Sequence, residues 1–212
     1  VRPNPRSPIG GSSVSPSRSD ARRSSWGLKT AQAKAEDDEK DRIEGPADLV
    51  GCLYVIHQLV LAVKLMTDAP DGWLRVSVHR VSGEELEQSV DYVGSTDGGA
   101  GATSPITSGL AGRVARTGDV RILDRPIDMK FEEWARYLVD DLAMTAEAAD
   151  LVRKDRYAFM AVPIESRLGS VRAVVYRDAG TPGFFDERTR RLVVEACDGL
   201  ARFVDVRYFQ KG

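Results

Sequence analysis

Cysteine and histidine are both scarce in this chain, and unbroken apolar runs are missing. The 212 residues hold two cysteines, Cys52 and Cys197, and two histidines, His57 and His79. Neither cysteine belongs to a CxxC pair or to a Cys/His cluster, so no metal site is expected. Both fall in apolar helical patterns and read as buried thiols in a reducing compartment. A redox pair bridging two packed helices is the alternative. The longest apolar stretch, Leu49 to Met66, is interrupted by His57, Gln58 and Lys64. It is short for a bilayer span, which needs about 20 apolar residues, and it reads as a core helix. The N-terminus is polar and proline-rich, with no secretory pattern, and the expected location is cytoplasmic. An excess of one charge is also missing. Thirty Lys and Arg stand against 32 Asp and Glu, a net charge of −2, which gives no global pull toward nucleic acid or an anionic membrane.

Catalytic patterns are missing too. No GxSxG, HExxH or P-loop spacing occurs. His57 sits in the apolar helix and reads as a core or interface residue, and His79 alternates along a strand. The carboxylate runs Asp140-Asp141 and Asp37-Asp38-Glu39 lie in charged helical stretches and read as solvated faces. The expectation is therefore that the chain is not an enzyme and carries no cofactor.

What is present divides the chain in three. Residues 1–25 are Arg, Ser, Pro and Gly with few large apolar side chains, and are expected to be a disordered tail. Arg2, Arg6, Arg18, Arg22 and Arg23 make this tail basic; it reads as a solvated linker. Residues 26–46 read as a charged helical linker, closed by Gly45-Pro46. Residues 47–212 carry the folded pattern, and 42% hydrophobic content over the whole chain is enough to build its core.

Within that region Leu49, Cys52, Leu53, Ile56, Val60 and Val63 predict a helix over 47–67, with one apolar face that Val55, Leu59 and Ala62 widen. Residues 73–81 alternate, with Trp73, Arg75, Ser77 and His79 on one face, and predict a strand paired in a hairpin with 86–93. Residues 94–104 are rich in Gly, Ser and Thr and are expected to be a loop. Ser108 to Asp124 reads as a short helix, a glycine stop at Gly118, and a strand. A long helical region over 127–156 follows, with Phe131, Trp134, Ala135 and Leu138 on one face and Leu142, Met144 and Leu151 suggesting a second piece, then strands at 157–166 and 171–176. Pro163 suggests a bulge or an edge. Asp186 is a good N-cap for a closing helix over 188–208.

Strands joined by tight turns are antiparallel. The expected class is therefore α+β, an α/β sandwich: a central antiparallel sheet of five or six strands with helices on both faces. The first and last helices should share one face. The middle helices should cover the other and leave a concave space for a small molecule.

Three stretches carry a resemblance. The first is Gly109-Leu110-Ala111-Gly112 with Val114-Ala115, Thr117-Gly118-Asp119 and Ile122-Leu123-Asp124. The second is the strand Phe159-Met160-Ala161-Val162-Pro163-Ile164. The third runs from the Gly169 turn through Tyr176-Arg177-Asp178, Phe184-Phe185 and Asp186-Glu187 into the last helix. In this order they resemble a GAF domain, the small sensor module of bacterial signalling proteins and phosphodiesterases, over about residues 47–208. The PAS fold, the main competitor, normally lacks the pairing of a long first helix with a long last one.

The resemblance implies a non-catalytic sensor or regulatory module. It offers no known ligand chemistry residue by residue. Met129-Lys130-Phe131 lacks the Asn of cyclic-nucleotide binders, and no matching Asp-Glu pair follows it. Cys52 and Cys197 lie in the outer helices, away from where bilin binders and methionine sulfoxide reductases place theirs. No histidine follows His79 to serve as a haem ligand. On the expected architecture an unidentified small molecule would meet Ser108, Arg113, Asp124, Phe131, Trp134, Tyr137 and Met160. Arg113 would pair an anion, and Trp134 and Tyr137 would stack on a planar group. The resemblance also implies a homodimer through the first and last helices, with Leu53, Ile56, Val60, Leu200 and Phe203 at the interface. An effector domain or larger complex is the further expected partner. The alternatives are a dimerisation scaffold with a vestigial pocket and a thiol redox sensor using Cys52 and Cys197.

Overall fold

The computed structural model describes residues 47–65, 73–166 and 168–208, with side chains over 49–64, 73–166 and 168–201. The expected tail at 1–25 and charged linker at 26–46 lie outside the described residues. Helix α1 (Ala47–Leu65) leads into strands β1 (Leu74–Ser82), β2 (Glu85–Gln88) and β3 (Thr103–Pro105). Helix α2 (Gly109–Thr117), strand β4 (Arg121–Asp124), and helices α3 (Phe131–Leu142) and α4 (Ala146–Asp150) follow. Strands β5 (Ala158–Glu165) and β6 (Val171–Ala179) precede the closing helix α5 (Glu187–Tyr208).

The strands form one six-stranded sheet in the order β3-β2-β1-β6-β5-β4, and every neighbouring pair is antiparallel. The two hairpins, β1/β2 and β5/β6, join through the long β1·β6 pairing, which sets Leu74 opposite Ala179 and Arg80 opposite Ala173. Because strand side chains alternate, β5 and β6 feed two cores. Val76, Val78, Met160, Val162 and Val175 pack under α1 and α5, with Leu53, Val60, Val193 and Cys197 from the helices. Phe159, Ala161 and Val174 pack under α2 and α3, with Leu110, Val114, Trp134 and Leu138. The first and last helices thus share one face and the middle helices cover the other, as the apolar patterns predict.

Local chemistry places the turns. Gly118 takes φ 70° and returns its N–H to the Val114 carbonyl, closing α2 where a side chain would be strained. The Asp186 carboxylate accepts the Thr189 N–H at 2.8 Å and so caps α5. It also accepts Lys64 Nζ at 2.9 Å, tying the end of α1 to the start of α5. Pro163 lies past the end of β4, whose pairing stops at Ala161, so its missing N–H breaks no ladder bond; the bulge follows at Ile164/Glu165.

Two expectations change and a third, the second piece of the helical region, is located. The second strand of the first hairpin ends at Gln88, and Val93 returns alone to bridge Val76. The Gly/Ser/Thr-rich loop ends in β3, which adds an edge strand to β2. The long helical region breaks at Ala143, which adopts the left-handed conformation at φ 51°, and restarts at Thr145, whose hydroxyl caps α4.

The interface residues expected on the outer helices are also corrected. Leu53, Ile56, Val60 and Leu200 are buried in the chain's own core. Three of the four sit on the helix faces turned toward the sheet, among the strand residues of that core. The outward face of α1 carries Val50, Tyr54, Val55 and Leu59 instead, each 41–65% exposed. The Phe203 side chain lies outside the described residues.

Candidate functional site

On the face of the sheet under α2, α3 and α4 the central strands carry polar side chains. Arg75, Ser77 and His79 alternate along β1, and Tyr176 and Asp178 along β6. The register sets Arg75 opposite Asp178 and Ser77 opposite Tyr176, so an ion pair forms across adjacent strands. Above this floor lies a cavity of about 310 Å³. Its walls come from the start of α2 (Ser108 to Ala111), from Leu138 and Leu142 of α3, and from Met144, Leu151 and Val152 around α4.

One end of the cavity is charged. Arg75 Nε donates to Asp178 Oδ1 at 2.9 Å and Nη2 donates to Oδ2 at 3.0 Å. The third nitrogen, Nη1, donates to Asp97 Oδ2 at 2.6 Å. The Arg75 guanidinium also lies 3.8 Å from the centre of the Tyr92 ring. Arg156 Nη1 is 3.1 Å from Asp178 Oδ1, close enough for an ion pair but not aligned for a hydrogen bond. Its guanidinium stacks over the Trp73 ring. Arg153 reaches Asp97 at 3.3 Å and Asp155 at 3.0 Å.

Burial sets the protonation of this end. It pushes the Asp178 carboxyl up, against the pull of Arg75. It lowers Arg156 to about 10, which leaves the guanidinium charged at neutral pH. It lowers His79 to about 4, so the imidazole is neutral. The Tyr92 and Tyr176 phenols are raised by burial and stay protonated. The site therefore offers fixed cations, neutral hydroxyl and imidazole groups, and an apolar roof.

Of the seven residues expected to meet a ligand, the structure brings only Ser108 to the cavity. Arg113 donates to the Asp141 carbonyl on the surface. Asp124 accepts the Gly183 N–H at 3.0 Å in an exposed contact. Phe131 lies under Arg125 and Lys154, 5.8 and 5.1 Å from their charged ends. Trp134 is 2% exposed and stacks with Tyr137 and Phe159 at centroid distances of 5.3 and 5.6 Å, so it is packing. Met160 is one residue from Phe159 and alternation turns it into the opposite core. Of the residues missed, Arg75 and Asp178 had a signal in the sequence, the polar stripes Arg75/Ser77/His79 and Tyr176/Asp178, whereas Tyr92, Arg153 and Arg156 come from connecting segments outside them.

Comparison with known proteins matches no family model and no curated protein. Solved structures of similar fold include the GAF domain of an Acinetobacter phosphoenolpyruvate-protein phosphotransferase, at 16% identity and TM-score 0.45, over 71% of this chain and 84% of that one. They also include the GAF domain region of a Geobacter sulfurreducens putative membrane protein, at 14% identity and TM-score 0.47, over 76% and 99%. The fold is GAF-like. Among the similar structures is also the type II free methionine-R-sulfoxide reductase of Thermoplasma acidophilum, at 12% identity and TM-score 0.47, over 73% and 93%. That likeness corrects the expectation that the chain is not an enzyme, because enzymes share this GAF-like fold. Both cysteines are free thiols in or against the core beneath α1 and α5, and burial pushes Cys197 up to about 11. No helix among the described residues is long and apolar enough to cross a membrane.

Proposed function

We propose that residues 47–208 form a regulatory sensor domain that binds a small molecule in the cavity over Arg75 and Asp178. The observation that carries this reading is the cavity itself. An apolar roof faces a floor whose ion pair, Arg75 with Asp178, is built into the two central strands, with Arg153 and Arg156 added from the loop after α4. A ligand there touches α2, α3 and α4 together, so its binding can tighten that layer and be read by a partner domain. Native mass spectrometry of the purified chain tests it, alongside Ala111→Trp, which fills the cavity from α2. A retained small molecule that the variant loses supports the reading. An empty cavity with no thermal shift from a broad metabolite set overturns it.

A second reading has its own observation. Val50, Tyr54, Val55 and Leu59 form an uncharged, exposed stripe on the outward face of α1. A two-fold pairing of α1 with a second copy would cover it, since such an interface uses the same patch on both subunits. Light scattering at tens of micromolar should give a dimer that Tyr54→Glu with Leu59→Glu converts to a monomer. A monomeric wild type removes this reading.

A further inference from the structure

Asp97 does not line the cavity, yet it holds the arginines that do. Its carboxylate is 2.6 Å from Arg75, 3.3 Å from Arg153 and 3.7 Å from Arg156. With Asp155 and Asp178 it brings the cluster to three carboxylates against three guanidiniums. An added anion would unbalance this cluster, whereas an exchanged one would not. The three carboxylates differ in how easily they leave. Asp178 is 1% exposed, sits in a central strand, and accepts both prongs of Arg75. Asp155 contacts Arg153 alone at hydrogen-bond distance. Asp97 is 34% exposed and rides on a loop with glycines at 94, 98, 99 and 101. Two backbone anchors fix that loop's ends, the Val93 bridge to Val76 and the Gly101 N–H to the Gln88 carbonyl.

Arg156 supplies the second sign. It is 2% exposed, and its Nε and Nη1 have no hydrogen-bond partner although it lines the cavity. A buried guanidinium with open donors is matched by a carboxylate, whose oxygen accepts a charge-assisted N–H bond. The opposite wall is apolar, with Leu138, Leu142, Met144 and Val152. We propose that the cavity takes a small organic carboxylate with an apolar body, and that this ligand displaces Asp97 from the arginines and frees its loop. The proposal rests on the reading of the cavity as a ligand site. Asp97 is then an internal stand-in for the ligand's own carboxylate.

Titration calorimetry with 3-phenylpropionate and octanoate, their uncharged amides, and inorganic phosphate separates the parts. Both acids should bind, the amides at least about tenfold more weakly, and phosphate not measurably. Asp97→Asn should tighten the acids by about fivefold and leave the amides unchanged, and Asp97→Ala should do the same. Hydrogen exchange at 95–100 should rise when an acid binds. Amides that bind as well as acids overturn the carboxylate class while leaving the cavity reading intact. Phosphate binding as tightly as the acids overturns the need for an apolar body. Acids that bind no tighter to either Asp97 variant overturn the displacement. No binding by any probe overturns this inference and counts against the cavity reading as well.

Discussion

Replacing Trp134 separates packing from ligand binding. The side chain is 2% exposed and stacks with Tyr137 and Phe159 at 5.3 and 5.6 Å. Burying roughly 200 Å² of indole at ~25 cal/mol/Å² is worth about 5 kcal/mol, an upper figure because unfolded chains are partly compact. The retained Cβ and partial collapse of α3 bring the expected cost of Trp134→Ala to about 3–4 kcal/mol. Trp134→Phe should behave differently. The indole Nε1 is buried with no hydrogen-bond partner, so phenylalanine removes a desolvated N–H while keeping an aromatic face on both neighbours. Its net cost should stay below about 1.5 kcal/mol. Urea denaturation followed by far-UV circular dichroism measures both, with midpoints compared at constant slope. A phenylalanine variant as unstable as the alanine one would show that the N–H is engaged. An alanine variant within about 1 kcal/mol of wild type would refute the packing account of Trp134.

Other outcomes follow from single residues. Gly94 has φ 88°, and a Cβ there would collide with His57 Nε2 and the Leu74 carbonyl, so Gly94→Ala should cost at least about 2 kcal/mol in the same urea assay. Ala143 holds φ 51° at an exposed helix end, so Ala143→Gly should stabilise by about 0.5–1 kcal/mol; a loss would mean the methyl packs. Arg177 is fully buried, and its Nε, Nη1 and Nη2 have no hydrogen-bond partner. Arg177→Met should therefore raise stability by about 1 kcal/mol or more, and a clear drop would show the guanidinium is held. Partial burial opposes ionisation of Asp186, but its bonds to Lys64 and Thr189 hold it at about 2, below its ordinary 3.8. A lowered carboxyl stabilises above its unfolded value, so this contribution is present above about pH 4 and lost as pH falls toward 2. Asp186 is 51% exposed, which keeps the effect near ~1 kcal/mol; the gap between wild type and Asp186→Asn should close over that window.

The architecture was legible because it rests on periodicity. Alternation from Trp73 to Val81 sets the two faces of β1, the apolar run at 158–165 marks a buried strand, and three-four spacing marks α1 and α5 as helices with an apolar face. The glycine at 118 and the aspartate at 186 mark their helix ends by chemistry that any context preserves. The second helical piece was legible, but the position of the break was not, because Ala143 takes a left-handed conformation that its residue type does not advertise. Strand β3 was hidden because Thr103-Ser104-Pro105 is exposed and has no apolar alternation. The site was mostly illegible for a different reason. The expected residues lie at or on α2, β4, α3 and β5, the elements that the apolar patterns place beside the concave space. Arg75 and Asp178 meet only through the register of β1 with β6, 103 positions apart in sequence, and no local pattern encodes that pairing. For the same reason Leu53, Ile56 and Val60 read as free apolar surface until the sheet beneath them is in place.

The position of the cavity follows from the composition of the floor. On the α1/α5 side the central strands present Val76, Val78 and Val175 around one buried cation, Arg177, and the helices settle on them. On the other side the layer is closed wherever the strands are apolar, as where Phe159, Ala161 and Val174 meet Val114, Trp134 and Leu138. It opens over Arg75, His79, Tyr176 and Asp178. Leucine side chains set directly on a buried ion pair would strip its remaining hydration and return no hydrogen bond, which costs more than the contact gains. The α2–α4 layer therefore stands off from the sheet above the charged strands. The space it leaves has one wall that repels water and one that needs a polar partner. On the proposed reading, that division, begun by alternate residues of two central strands, suits a ligand with an apolar body and a charged head.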